Sequence, residues 1–162
     1  GGRVGFHPEE VVEIGYCPLL PTAAGTAFGP WPEKVYHWHR EGFEVPVGAT
    51  VLAEGTTFAN QAMAYGKAAL GVQFHPEITY ALVARWTYDA SHRLGLKGAQ
   101  SREAQLNGHI LHGDRVLGWL DRFIERWLLG VAAAPDKDPA GRRRQGAAQS
   151  SSLANEGPPA AE

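Results

Sequence analysis

Two side chains in the middle of this sequence have the types and the spacing for proton-transfer chemistry: His75 and Glu77, flanking Pro76 in Gln73-Phe74-His75-Pro76-Glu77. An imidazole can act as a general base. A carboxylate two residues on can orient the ring and stabilise its charged form, which is the base-plus-orienter half of a nucleophilic triad. The residues before His75 are apolar and read as a strand. Proline has no N–H to donate to a ladder, so Pro76 ends that strand abruptly. His75 is therefore expected at the carboxyl edge of a sheet, where open α/β folds gather their active sites.

The attacking group is harder to place. Cys17 is the only cysteine, in Gly15-Tyr16-Cys17-Pro18-Leu19. Nucleophiles of this kind sit on a glycine-flanked turn from strand to helix, and the next residue's N–H helps to hold the oxyanion. Pro18 has no N–H, no second glycine follows, and no helical pattern comes after. Cys17 is expected to be a structural, inert thiol, which leaves no nucleophile in the chain. Phe6-His7-Pro8-Glu9-Glu10 repeats the letters of the later motif but lacks an apolar strand before it, so no chemistry is expected there.

Short strands joined by turns must position the His75 edge. Residues 11–20 read as a strand with Val12, Ile14 and Tyr16 on one face, ended by Pro18 and Pro21. Residues 1–4 read as a loop or the end of a helix, and 22–32 as a loop. Residues 34–44 form a second strand region, with Tyr36, Trp38 and Arg40 on one side and His37, His39 and Glu41 on the other. Residues 50–53 make a short strand. Residues 61–65 and 69–74 pair as a hairpin around Gly66-Lys67. Thr79 caps a helix that carries Leu82, Val83, Trp86, Ala90 and Leu94 and stops at Gly95. Residues 96–112 are ambiguous, since a helix from Ser101 is weakened by Gly108. Asp114 is expected to cap the last helix, whose apolar stripe is Val116, Leu120, Phe123, Ile124 and Trp127.

The bulk numbers narrow the field. The 162 residues suit one domain, and 15 basic against 17 acidic residues leave a net charge of -2. That balance offers no footprint for nucleic acid or an acidic membrane surface. No apolar run approaches the ~20 residues of a membrane span. A single cysteine allows no internal disulfide and fits a reducing, cytoplasmic setting. The domain is expected over 1–130, and 131–162, rich in Ala, Pro, Gly and Ser, as a disordered tail. Within it, Arg142-Arg143-Arg144 reads as a solvated patch.

Gln73-Phe74-His75-Pro76-Glu77 resembles the His/Glu signature of class I glutamine amidotransferases, in which a Cys-His-Glu triad hydrolyses the glutamine side-chain amide. Ala68-Ala69-Leu70-Gly71-Val72-Gln73-Phe74 is similar to that family's last core strand. Residues 35–46 resemble a family segment with an aromatic-His-Gly-Asp run, here with Arg40-Glu41 in place of Gly-Asp. Val12-Glu13-Ile14-Gly15-Tyr16 resembles a strand just downstream of the family nucleophile. The likeness is nearest to stand-alone proteins that look like the glutaminase half of GMP synthase.

The resemblance implies an α/β fold, a mixed open sheet with flanking helices of flavodoxin-like kind. It implies His75 as catalytic base, Glu77 as orienter, and His39 beside the glutamine site. It implies glutamine or a gamma-glutamyl small molecule as substrate, no cofactor, and an ammonia acceptor that the sequence does not identify. The family's Gly-x-Cys-x-Gly elbow is missing. The chain also opens at Gly1 without Met, so it reads as the carboxy-terminal part of such a domain, incomplete at its amino-terminal side and inactive alone. A gamma-glutamyl hydrolase of the same fold, or a non-catalytic binding module that has lost the thiol, are the alternatives. His37 and His39 share a strand face and could join His75 and Glu77 around a divalent metal. Histidines at this spacing are common without one, and the resemblance accounts for His75, so no metal is expected.

Overall fold

A computed structural model describes residues 1–129; the expected tail over 131–162 lies outside them. The described strands are β1 (Val4–Phe6), β2 (Glu13–Pro18), β3 (Leu20–Pro21), β4 (Lys34–His39), β5 (Glu41–Phe43), β6 (Ala49–Glu54), β7 (Asn60–Tyr65) and β8 (Ala69–Val72). The helices are α1 (Ala23–Thr26), α2 (Tyr80–Asp89) and α3 (Arg102–Leu128), with a 3-10 turn over Ser91–Gly95 between the last two. The strands form antiparallel ladders β1-β5, β2-β4 and β3-β6-β7-β8, and a parallel bridge joins Ile14 to Ala99. This is the α/β class expected, with mixed, open sheets flanked by helices.

The ladders meet at the segment that carries the chemistry. The strand expected over 69–74 stops at Val72 because the backbone then changes partners. The Gln73 N–H bonds the Gln61 carbonyl on β7, and the His75 N–H bonds the Tyr36 carbonyl on β4, at 2.8 Å each. Residues 73–75 thus stitch the four-stranded ladder to the β2-β4 pair, and Phe74 between them is buried.

On β2, Val12, Ile14 and Tyr16 are buried as their alternation predicts, but the opposite face is closed as well, because Glu13 is only 1% exposed. A strand buried on both faces cannot be told from a half-buried one by alternation alone. At Gly15, φ is +124° and a β-carbon would collide with the Gln100 side chain. Gln100 in turn acts as a strand edge for its neighbour: its Oε1 accepts from the Tyr16 N–H at 3.0 Å and its Nε2 donates to the Tyr16 carbonyl at 2.8 Å.

Several local expectations need correction. Val4, at the end of the expected loop, instead opens β1, which pairs with β5. The region 34–44 breaks at Arg40 into β4 and β5. Thr22 caps the short α1, accepting from the Gly25 N–H, inside what reads as a loop. The helix capped by Thr79 ends at Asp89, and the rest of the stretch to Gly95 tightens into the 3-10 turn.

The largest correction is α3, which runs unbroken from its Ser101 cap through Gly108, so Asp114 lies inside the helix and caps nothing. A mid-helix glycine costs about 1 kcal/mol relative to alanine. Here it permits close approach: a β-carbon at Gly108 would lie 2.6 Å from the Tyr16 ring. The main core unites Val116, Trp119 and Phe123 of α3 with Phe28, Leu52 and Phe74. A second cluster joins Tyr16 and Tyr36 to Ile78 and Val83.

Candidate active site

His75 lies just beyond the stitched segment. Its Nδ1 is 2.8 Å from Glu77 Oε1. The ring is 34% exposed and Glu77 59%. Trp86 of α2 meets the ring edge-on, with centroids 5.1 Å apart. Three groups therefore hold the imidazole: the backbone bond to Tyr36, the Glu77 carboxylate and the Trp86 face. With Nδ1 committed to Glu77, Nε2 is the nitrogen left for a reacting proton.

The look-alike motif near the amino terminus does not repeat this arrangement. His7 Nδ1 accepts from the Glu9 backbone N–H at 3.2 Å, while the Glu9 carboxylate pairs with Lys97 at 2.8 Å. No carboxylate orients that ring.

Cys17 sits within β2, opposite Val35, and its Sγ lies 4.0 Å from the Gly15 carbonyl oxygen. Burial, reinforced by the Glu13 carboxylate, pushes the thiol up to about 12. A thiol so far from ionisation at neutral pH is a poor nucleophile. Alkylation of Cys17 by iodoacetamide at pH 7 is expected to run at least about tenfold slower than that of a free thiol in a short peptide. Labelling as fast as the peptide's, and slowed by glutamine, would make Cys17 a candidate nucleophile after all.

The His37 and His39 side chains turn away from Tyr36 and Trp38, as alternation predicts, and toward a residue that the sequence did not single out. Glu13 lies directly opposite His39 in the ladder. Its Oε2 is 3.2 Å from His39 Nε2 and 3.6 Å from His37 Nδ1. Gln61 Nε2 donates to the same oxygen at 2.8 Å. Burial pushes the Glu13 carboxyl upward, but hydrogen bonds from His39 and Gln61 and the nearby His37 ring outweigh it and hold it below the usual carboxylate value. Burial pushes His37 down to about 4 against the pull of Glu13. The metal-capable cluster among the described residues is Glu13, His37 and His39; His75 and Glu77 are not in it. The signal for Glu13 was a lone acid inside an apolar strand whose neighbouring strand carries two histidines.

No protein-family model matches the chain. The glutamine amidotransferase-like protein YfeJ of Salmonella typhimurium is 37% identical over 89 residues, covering 51% of this chain and 36% of that protein. A solved glutamine amidotransferase from Methylobacillus flagellatus superposes with a TM-score of 0.72 at 25% identity, over 80% of this chain and 56% of that one. Another from Thermotoga maritima gives 0.68 at 26% identity, over 79% and 55%. The chain thus spans about half the length of these solved structures and about a third of the curated relative. In sequence over 89 residues, and in fold over about four fifths of its length, the chain is similar to glutamine amidotransferases.

Proposed function

We propose that this chain carries the general base, His75, and the orienting carboxylate, Glu77, of a thiol-dependent glutamine amide hydrolase. In this reading the thiol and its oxyanion donors come from the part of the relatives' fold that the chain does not span. The carrying observation is the 2.8 Å contact between His75 Nδ1 and Glu77 Oε1 on a ring that still opens to solvent.

The chemistry then runs in two halves. His75 Nε2 takes the thiol proton as sulfur attacks the amide carbon, and returns it to the departing ammonia. Water, deprotonated by the same nitrogen, cleaves the thioester and releases glutamate. Glu77 holds the tautomer with Nδ1–H and stabilises the imidazolium between steps. His39 has no nitrogen to offer glutamine, since Nδ1 meets the Glu41 carbonyl and Nε2 meets His37 and Glu13. Its part in this reading is structural. No helix among the described residues is long and apolar enough to cross a membrane, and a thiol enzyme of this kind suits the reducing cytoplasm.

The test is ammonia release from glutamine by a longer protein that joins this chain to a Gly-x-Cys-x-Gly elbow, with the chain alone as an inactive control. Glu77→Gln is expected to lower kcat about tenfold or more with little change in KM, as loss of an orienting group does. An unchanged kcat would remove Glu77 from the mechanism. Cleavage of larger gamma-glutamyl amides but not of glutamine would keep the His75–Glu77 pair and change the substrate.

A further inference from the structure

We propose that Glu13, His37 and His39 bind a divalent transition-metal ion of the zinc class, a site separate from the His75–Glu77 pair and independent of the amide-hydrolysis reading. The ladder register brings the three side chains to one face. Glu13 stands opposite His39, and Gly15, which has no side chain, stands opposite His37. His37 can therefore lean toward the carboxylate with nothing between them.

The donor atoms form a nearly regular triangle. His37 Nδ1 is 3.0 Å from His39 Nε2, His39 Nε2 is 3.2 Å from Glu13 Oε2, and His37 Nδ1 is 3.6 Å from Glu13 Oε2. An ion ~2.1 Å from all three would sit about 0.9 Å above their plane, as zinc does over three nitrogen and oxygen ligands. Two imidazoles and a carboxylate suit zinc, cobalt, nickel or ferrous iron better than calcium or magnesium.

Hydrogen bookkeeping points the same way. The Glu41 carbonyl can only accept, so His39 Nδ1, 3.1 Å away, carries the hydrogen. In the neutral ring the Nε2 lone pair then faces both Glu13 Oε2 and His37 Nδ1. A proton placed between His37 and His39 leaves that lone pair against the carboxylate. Protons on both His37 Nδ1 and His39 Nε2 oppose each other across 3.0 Å. A doubly protonated His39, donating from Nε2 to Glu13 Oε2 with His37 Nδ1 as acceptor, is the proton-only arrangement; a metal ion in place of that proton satisfies the same three edges.

Two of the three ligands have outer partners: Gln61 holds the carboxylate and the Glu41 carbonyl holds His39, the kind of partner that fixes metal ligands in place, while His37 Nε2 is buried without one. Independently, Glu13 Oε1 is buried without any hydrogen-bond partner, a second carboxylate oxygen free to ligate. Buried polar atoms left unpaired are rare enough to need a cause. His39 is 13% exposed, against 0% for His37 and 2% for Glu13, so solvent reaches the cluster from the His39 side and a water can fill the fourth position.

The test is to strip the chain with a chelator and titrate it with Zn²⁺ or Co²⁺ alone. One ion per chain is expected, with a Tm rise of several degrees. The Co²⁺ form should show the intense visible bands of four- or five-coordination. His39→Ala and Glu13→Gln should each weaken binding by more than the roughly 100-fold that loss of an outer-shell partner causes. Gln61→Ala should weaken it by about 10- to 100-fold. A paired His109→Ala, His112→Ala control on α3 should leave it unchanged. No stoichiometric binding, a pale six-coordinate Co²⁺ spectrum, or affinity retained in His39→Ala would overturn the proposal and leave protons as the cluster's only cations. If Glu13→Gln does not fold, His39→Ala, at the most exposed of the three ligands, and the Co²⁺ spectrum of the unaltered chain still decide.

Discussion

Replacing His75 by alanine, in a protein that joins this chain to a thiol elbow, is expected to lower kcat for glutamine hydrolysis by about 10³-fold or more. General acid–base groups typically supply 10²–10⁴ in rate, and His75 would act in both half-reactions. An ordinary thiol with a pKa near 8.5 is only a few per cent ionised at pH 7, and without an imidazole its proton has no acceptor. Departing ammonia would also lack a donor. KM should move little, because the ring is aimed at the reacting atoms and not at the ends of the substrate. The variant should keep its fold, since the backbone N–H that bonds Tyr36 is retained and the lost ring was partly exposed. Two readouts separate chemistry from packing: ammonia release, and the pH profile of thiol alkylation, which should shift upward without the imidazole. A parental rate in a folded His75→Ala protein would end the assignment.

The parts of this fold that could be read from sequence are those governed by neighbours along the chain. Thr79 caps α2 because a hydroxyl before a helical run satisfies a free backbone N–H. Pro76 limits the His75 strand, and Gly66, at φ +60°, turns the hairpin. What could not be read depends on residues far apart. Gly108 looks like a helix breaker until Tyr16, 92 positions earlier, is seen to need the space. β1 is too short to show alternation and exists because β5 pairs with it. At the site, the His75–Glu77 contact is local and follows from spacing. Glu13 was missed because an acid on a strand is ordinarily placed toward solvent, and only the ladder register with β4 shows what encloses it. The metal reading shows the same divide. Spacing correctly put His37 and His39 on one face, but grouped them with His75 and Glu77, whereas the register groups them with Glu13.

Trp119→Ala is expected to destabilise the chain by about 3–5 kcal/mol, the range for emptying a buried large aromatic site. Trp119 is 3% exposed in the middle of α3. Its ring lies 4.6 Å from Phe123, 4.9 Å from Trp31 and 5.5 Å from Phe74, centroid to centroid. Aromatic pairs of this kind add about 0.5–1.5 kcal/mol each beyond area burial. The gap cannot collapse cheaply, because the stitched segment is pinned by the Gln73 and His75 backbone hydrogen bonds, and Trp31 is held by its Nε1–H donating to the Gly25 carbonyl at 2.8 Å. Against the 5–15 kcal/mol of a typical domain, the loss is a large share of total stability. It also reaches the chemistry. Phe74 directly precedes His75, so a void beside Phe74 loosens the segment that aims the imidazole. Urea unfolding should show a lower midpoint with an unchanged slope, the mark of lost stability without a changed denatured state. Trp119→Phe, which keeps a ring in the cluster, should cost less than half as much. A Trp119→Ala loss under about 1 kcal/mol, the level of an ordinary substitution, would mean that the aromatic cluster is not what anchors α3, and that His75 is held by β4 and Glu77 alone.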